Sequence, residues 1–173
     1  VENANLFEET RARARDLNAL NTVMATANES LDLETVLQEV IKKVTEIFQF
    51  DETGIYLLGL QQDEVQLEAH FVAQGKPWFR PKKYKLGEGI SGKVLETGIP
   101  IIFENIQQDP LYEELGHRKT AKKEGYTFLA VFPIKSKQKI IGTMDVASRM
   151  VRHFTRDEVQ LLTSMTDQIG IAV

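Results

Sequence analysis

The sequence contains no cysteine. Disulfides, thiolate nucleophiles, cysteine zinc ligands and thioether-linked cofactors are therefore excluded on chemical grounds. No apolar run approaches the roughly 18 residues that a membrane-spanning helix needs, and the polar, charged N-terminus is unlike a signal peptide. These absences predict a cytoplasmic protein without a membrane partner. Because the chain does not begin with Met, we expect it to be part of a larger protein.

The chain also lacks a basic excess. Its net charge is -4 over 173 residues, which argues against nucleic acid as a partner. The charge is unevenly distributed, since residues 1–75 carry 14 acidic and 5 basic side chains and residues 76–173 carry 11 and 16. The second part therefore favours an anionic ligand, or simply carries solvated lysines on its surface. The length and the 42% hydrophobic content are typical of one globular domain.

A helix with a heptad-like seam is predicted at 5–31. Apolar residues recur there at steps of three and four: Leu6, Leu17, Leu20, Met24, Ala27 and Leu31. Such a stripe either packs on its own domain or pairs with the same helix of a second subunit. We expect a parallel homodimer through the terminal helices, with an interface that includes Leu17, Leu20, Met24, Leu162 and Ile169.

The remaining chain mixes helices and strands. A helix at about 33–48 follows Asp32, a plausible N-cap, and a last helix follows the capping-box pair Thr155 and Glu158. A short helix ends at Gly98, and another is predicted near 111–124. Strands are predicted at 53–60, 65–73, 84–86, 99–104, 128–136 and 140–148. This order predicts an α+β fold with helices on one face of the sheet.

Two blocks of the sequence resemble the GAF domain family. The first, LGEGISGKVLETGIPIIFENIQQDP, begins at Leu86, and the second, from Phe128, contains Pro133, Gly142 and the entry to the last helix. We assign 1–31 to an N-terminal signalling helix and 32–173 to a GAF domain. The resemblance implies a central antiparallel sheet of about six strands. The N- and C-terminal helices would cover one face, and a pocket roofed by 75–86 and 105–125 would occupy the other.

The resemblance also implies a function. Similar domains are regulatory modules in which a small ligand biases terminal helices that relay to an effector domain. We expect a non-enzymatic, ligand-sensing domain of a signalling protein such as a bacterial sensor histidine kinase, with its covalently linked effector outside this chain. The alternative is a ligand-free dimerisation and relay module whose pocket is filled by its own side chains.

Aromatic and charged residues near the implied pocket are the candidate ligand-binding set. Each aromatic residue in it is equally compatible with a place in the core. The set comprises Phe71, Trp78, Phe103, Tyr112, His117, Arg118, Tyr126, Phe128 and Asp145.

Other binding chemistry has little support in the sequence. The glycines at 87–92 lack the lysine ending of a P-loop, and no two histidines have metal-site spacing, so no metal is expected. His117 is a possible axial haem ligand, and a cyclic nucleotide is a further alternative, although the spacing of Phe154 and Asp157 departs from the family's cyclic-nucleotide signature. Covalent bilin attachment and methionine-sulfoxide reduction need cysteine and are excluded. We therefore expect no cofactor.

Overall fold

The computed structural model describes residues 32–77, 82–115 and 120–173, with seven separate helical positions at 4, 7, 8, 11, 14, 15 and 18. Within these ranges, six strands form one antiparallel sheet in the order β3-β2-β1-β6-β5-β4. The strands are β1 (Glu52–Leu58), β2 (Glu64–Val72), β3 (Lys83–Lys85), β4 (Ile101–Phe103), β5 (Phe128–Ser136) and β6 (Lys139–Ser148). The predicted α+β class and six-stranded sheet are confirmed.

Two helices cover one face of this sheet. They are α1 (Leu33–Phe48) and α5 (Arg156–Ala172). Their buried residues recur at helical spacing and pack on alternate residues of β1, β5 and β6 in one hydrophobic core. The placement of the N- and C-terminal helices of residues 32–173 on a common face agrees with the prediction.

The opposite face carries the crossover connections. α2 (Gly89–Thr97) lies between β3 and β4, and α3 (Pro110–Leu115) and α4 (Thr120–Lys123) lie between β4 and β5. The single helix predicted near 111–124 is therefore wrong, because two short helices occupy that range. Gly116, a poor helix former, follows the first of them in the sequence.

The two predicted helix starts differ in their capping. Thr155 and Glu158 form the full capping box, in which the Glu158 amide donates to Thr155 Oγ1 and the Thr155 amide donates to Glu158 Oε2. Asp32 occupies the N-cap position of α1, but its side chain makes no capping hydrogen bond. The pattern at 155–158 thus predicted the cap correctly, and the expectation for the Asp32 side chain was wrong.

Two glycines permit very close packing. A Cβ added to Gly142 would lie 2.1 Å from the carbonyl oxygen of Tyr56, and one added to Gly170 would lie 1.9 Å from that of Lys135. Gly142 therefore lets β6 approach β1, and Gly170 lets α5 rest directly on the backbone of β5.

The N-terminal helix predicted at 5–31, with its seam residues Leu17, Leu20 and Met24, falls almost entirely outside the described residues. Among the described helices, none is both long and apolar enough to cross a bilayer.

Candidate functional site

The floor of the candidate site is the sheet face that α1 and α5 leave uncovered. Met144 and Val146 belong to the core beneath those helices, so Asp145 between them points to the opposite side, because side chains alternate along a strand. Its cross-strand neighbours are Gly54 on β1 and Val131 on β5. Glycine has no side chain, so this part of the floor is low beside the Asp145 carboxyl.

Three of the predicted ligand-binding aromatics cluster on this face. Phe103, Tyr112 and Tyr126 are all buried in one hydrophobic group. The rings of Phe103 and Tyr112 meet edge-on with centroids 5.5 Å apart, a favoured aromatic geometry. The Asp109 carboxylate accepts the Leu111 amide at the start of α3 and so helps to orient the helix that carries Tyr112.

Two other candidates lie on the wrong face. Phe128 packs in the core under α1 and α5, where its ring lies 6.1 Å from Phe50 and 4.8 Å from Phe154. Phe71 packs against the same core. The expectation that these two line the pocket is corrected. The apolar residues of β5 are buried on both faces, so hydrophobicity does not reveal which face Phe128 occupies. Phe71 lies on β2, on the same core-facing side as Ala69 two residues earlier.

The remaining predicted residues divide in two. Trp78, His117 and Arg118 lie outside the described residues, as do the interface candidates Leu17, Leu20 and Met24. The interface candidates on α5, Leu162 and Ile169, are fully buried against the sheet of their own chain. Their apolar character is thus satisfied within one subunit, and in this arrangement neither side chain is available to a partner.

A buried carboxylate that sequence reasoning missed, on Glu52 of β1, joins β2 and the α4–β5 connection through hydrogen bonds. Glu52 has no solvent exposure, its Oε1 lies 2.7 Å from His70 Nε2, and its Oε2 accepts the hydroxyl hydrogen of Tyr126. Burial, followed by the Glu52 carboxylate, raises the pKa of Tyr126. The available signal was an acidic residue heading an apolar strand, which ordinarily indicates a partner in the fold.

Two hydroxyl groups add polar character to this face. Thr143 is fully buried, and its Oγ1 has no hydrogen-bond partner among the described residues. Burial is also the main cause that raises the pKa of Tyr112, with smaller contributions from Glu113 and Tyr84.

Arg149 closes one end of the site. Its guanidinium lies over the Tyr126 ring at 4.1 Å from the centroid and donates to the carbonyl oxygens of Gln74, Lys76 and Glu124. The carbonyls belong to the β2–β3 and α4–β5 connections, so one side chain joins both.

A groove of about 580 Å³ adjoins this face between α2 and α3. Its lining mixes apolar and charged residues, and Ile101, the cross-strand neighbour of Val131, is among them. The lining comprises Gly87, Gly89, Lys93, Glu96, Thr97, Ile99, Ile101, Leu111, Glu114 and Leu115. Within the described residues, no group of three or more His, Cys, Asp or Glu side chains is placed to hold a metal ion.

Comparison with known proteins identifies relatives among bacterial regulators. The Nif-specific regulatory protein of Herbaspirillum seropedicae is 33% identical over 152 residues, which cover 83% of this chain and 27% of the relative. The sensor histidine kinase YhcY of Bacillus subtilis is 25% identical over 167 residues, which cover 95% of this chain and 43% of the relative. The chain thus spans between about a quarter and less than half of these relatives.

Solved structures share the fold. The GAF domain of an Acinetobacter phosphoenolpyruvate-protein phosphotransferase superposes with a TM-score of 0.71 at 19% identity and 90% coverage of both chains. A free methionine-R-sulfoxide reductase from Neisseria meningitidis superposes with a TM-score of 0.72 at 18% identity, covering 93% of this chain and 89% of the reductase. At these identities the likeness establishes the fold alone. The GAF family model matches residues 32–173, and the chain belongs to the GAF domain family.

Proposed function

We propose that this GAF domain is the regulatory, small-molecule-sensing part of a signal-transduction protein and has no catalytic role of its own. A ligand on the floor beside Asp145 would bias α1 and α5, and these helices would transmit the bias to an effector domain.

The observation that carries the proposal is the buried polar chemistry on the face that α1 and α5 leave uncovered. Asp145 is only 6% exposed and Thr143 is fully buried. A buried polar group without a hydrogen bond lowers the folding stability by about 1–3 kcal/mol. Thr143 Oγ1 is such a group, since it has no hydrogen-bond partner among the described residues. Small-ligand sites typically combine mostly apolar walls with a few polar groups, and the groove of about 580 Å³ between α2 and α3 adjoins this face. A ligand with complementary polar groups would offset this cost.

The relatives support a role in bacterial regulation. The higher identity belongs to the Nif-specific regulatory protein, so we propose a regulator of that kind as the whole protein, and a sensor histidine kinase as the second candidate because of the match to YhcY. Because both relatives are much longer than this chain, the effector would lie outside it. The absence of cysteine removes the thiol that sulfoxide-reductase chemistry uses, in line with a non-catalytic role.

Native mass spectrometry of the protein purified from cells, with an absorption spectrum of the same sample, is the first test. A co-purified adduct identifies the ligand directly, and a haem or other chromophore would appear as colour. If neither is found, a metabolite library screened by thermal shift continues the test. A ligand at 100 times its Kd stabilises by about 2.7 kcal/mol, which raises Tm by about 5–11 °C in a domain of this size.

Matched variants locate the site of any ligand found. Asp145→Asn removes the floor carboxylate, whereas Asp63→Asn alters an exposed aspartate in the β1–β2 turn. The proposal expects the thermal shift to be lost in the first variant and kept in the second. A library in which no compound raises the Tm of the unaltered protein would favour the ligand-free relay module instead.

The proposed assembly is a parallel homodimer through 5–31 and the exposed side of α5. After the first turn of α5, the exposed residues recur at steps of four, three and four: Gln160, Ser164, Asp167 and Ile171. Ile171 is 73% exposed and is the apolar member of this stripe. Light scattering should give a dimer mass, Leu20→Asp and Ile171→Asp should weaken it, and Leu60→Asp in the β1–β2 turn serves as the control. A folded monomer at high concentration would count decisively against the dimer.

A further inference from the structure

The segment between β6 and α5 makes contact with both sides of the sheet. Arg149, at its start, donates to the carbonyl oxygens of Gln74, Lys76 and Glu124. These carbonyls belong to the β2–β3 and α4–β5 connections, which together are called the cover. Arg152, three residues later, donates to the carbonyl oxygen of Phe48 at the end of α1. Three residues span at most about 10 Å, so one short stretch of backbone connects the pocket side to the helix side.

The contact of Arg149 depends on the shape of the β2–β3 connection. Gly75 has a φ of +76°, and a Cβ added to it would lie 2.6 Å from Arg149 Nη1 and 2.8 Å from Cζ. A side chain at this position would displace the guanidinium. Glycine here therefore leaves room for the guanidinium beside the backbone, where it reaches the carbonyls of the residues on either side, Gln74 and Lys76.

The contact of Arg152 is made in an aromatic setting. The guanidinium carbon lies 4.8 Å from the Phe50 ring centroid and 5.6 Å from that of Phe154, within cation–π range. Burial lowers the pKa of Arg152, and the carboxylates of Glu158 and Asp51 oppose this effect. Arg152 is therefore packed between the end of α1 and the chain that leads into α5.

Asp51 anchors the start of the segment. Its Oδ2 accepts the Arg149 amide at 2.6 Å and lies 3.3 Å from Ser148 Oγ. Its main chain pairs with Ala147 on β6 and with Ala73 after β2. Asp51 itself follows α1 and precedes β1, so the anchor belongs to the same junction that Arg152 holds.

We propose that residues 149–155 form a coupling segment. In it, Arg149 is a positioning residue that holds the cover, and Arg152 transmits a displacement of the cover to the ends of α1 and α5. The proposal deepens the proposed sensing function and rests on it, because it states how an event at the pocket reaches the helices. Its test needs no ligand, so a failure of coupling is distinguishable from a failure to find a binder.

Amide hydrogen exchange resolved by residue tests the coupling. The Tyr126 amide, bonded to Ala121 O, reports on the cover, and the Phe50 amide, bonded to Thr45 O, reports on the end of α1. The Met144 amide in the central strand β6 reports on opening of the whole domain. Arg149→Ala should accelerate exchange at both reporters by about tenfold or more beyond any change at Met144, since hydrogen bonds to a charged group are lost.

Two more variants complete the design. Gly75→Ala leaves Arg149 in place but displaces its guanidinium, so it should reproduce the effect at both reporters. Arg156→Ala removes an exposed arginine of α5 that makes no hydrogen bond or ion pair within the described part of the chain, and should change neither. If circular dichroism shows that Arg149→Ala is unfolded, Gly75→Ala and Arg149→Lys decide the question.

Faster exchange at Tyr126 with no change at Phe50 would overturn the proposal, because Arg149 would then hold the cover alone. An equal acceleration at all three amides would also overturn it, since it would show a contribution to global stability rather than a coupling.

Discussion

Gly170→Ala is expected to destabilise the domain, although alanine is the better helix former. Inside α5 the exchange gains about 1 kcal/mol in helix propensity. The new Cβ, however, would lie 1.9 Å from Lys135 O, whereas ordinary contacts begin at 3.4 Å. The helix must therefore move off β5 by about 1.5 Å.

The cost of that movement follows from what α5 buries. Leu162, Met165 and Ile169 are fully buried beneath the helix, and a gap of even 0.5–1 Å forfeits a quarter to a half of each dispersion contact. Overpacking of a filled core costs about 3 kcal/mol at the upper end of its usual range, which is the appropriate end for a clash with backbone. The net loss is about 2 kcal/mol, or a fall in Tm of about 4–8 °C.

Thermal unfolding followed by circular dichroism measures the effect, with Ser164→Ala as the matched control. Ser164 lies on the exposed side of the same helix, so its replacement gains only propensity, about 0.5 kcal/mol, and should raise Tm slightly. A rise in Tm for both variants would refute the close approach of α5 to β5.

Three further outcomes are expected. Thr155→Ala removes the capping box with Glu158 and should lower the free energy of unfolding by about 1 kcal/mol, measured by urea denaturation; an unchanged midpoint would contradict it. The pKa values of Tyr126 and Tyr112 are raised above the ordinary 10.0 by burial, so the folded state holds these protons more tightly than the unfolded chain. The contribution of these two protons to the free energy of unfolding is present below pH 10.0 and is lost as pH rises above it. Simultaneous ionisation of all tyrosines near pH 10.0 in an ultraviolet titration would disprove the raised pKa values. Tyr126→Phe deprives the buried Glu52 of a donor and should cost about 1–3 kcal/mol, with an undiminished urea midpoint as the contrary result.

Most helices and strands of the fold could be predicted from the local sequence. The apolar spacing in α1, the alternation in β2 and the Thr155 capping box each depend on neighbours a few residues apart. The helix predicted near 111–124 failed because its apolar spacing is weak and short elements depend on tertiary packing rather than propensity.

The residues of the candidate site could be predicted only in part from the sequence. Phe103, Tyr112 and Tyr126 do gather on one face, but Phe71 and Phe128 lie on the other, and all five side chains are aromatic. Residues of β5 are buried on both sides, so composition and periodicity carry no information on which side a given aromatic occupies.

What the sequence determined by itself was therefore the class of fold, the order of its six strands, the capping of its last helix and the exclusion of thiol chemistry. Only the tertiary structure decided the buried contact of Glu52 with His70 and Tyr126, and the reach of Arg149 to carbonyls 25 to 75 residues away. The physical reason is range: local patterns arise from neighbours in the chain, whereas these contacts exist only once the sheet has brought distant segments together.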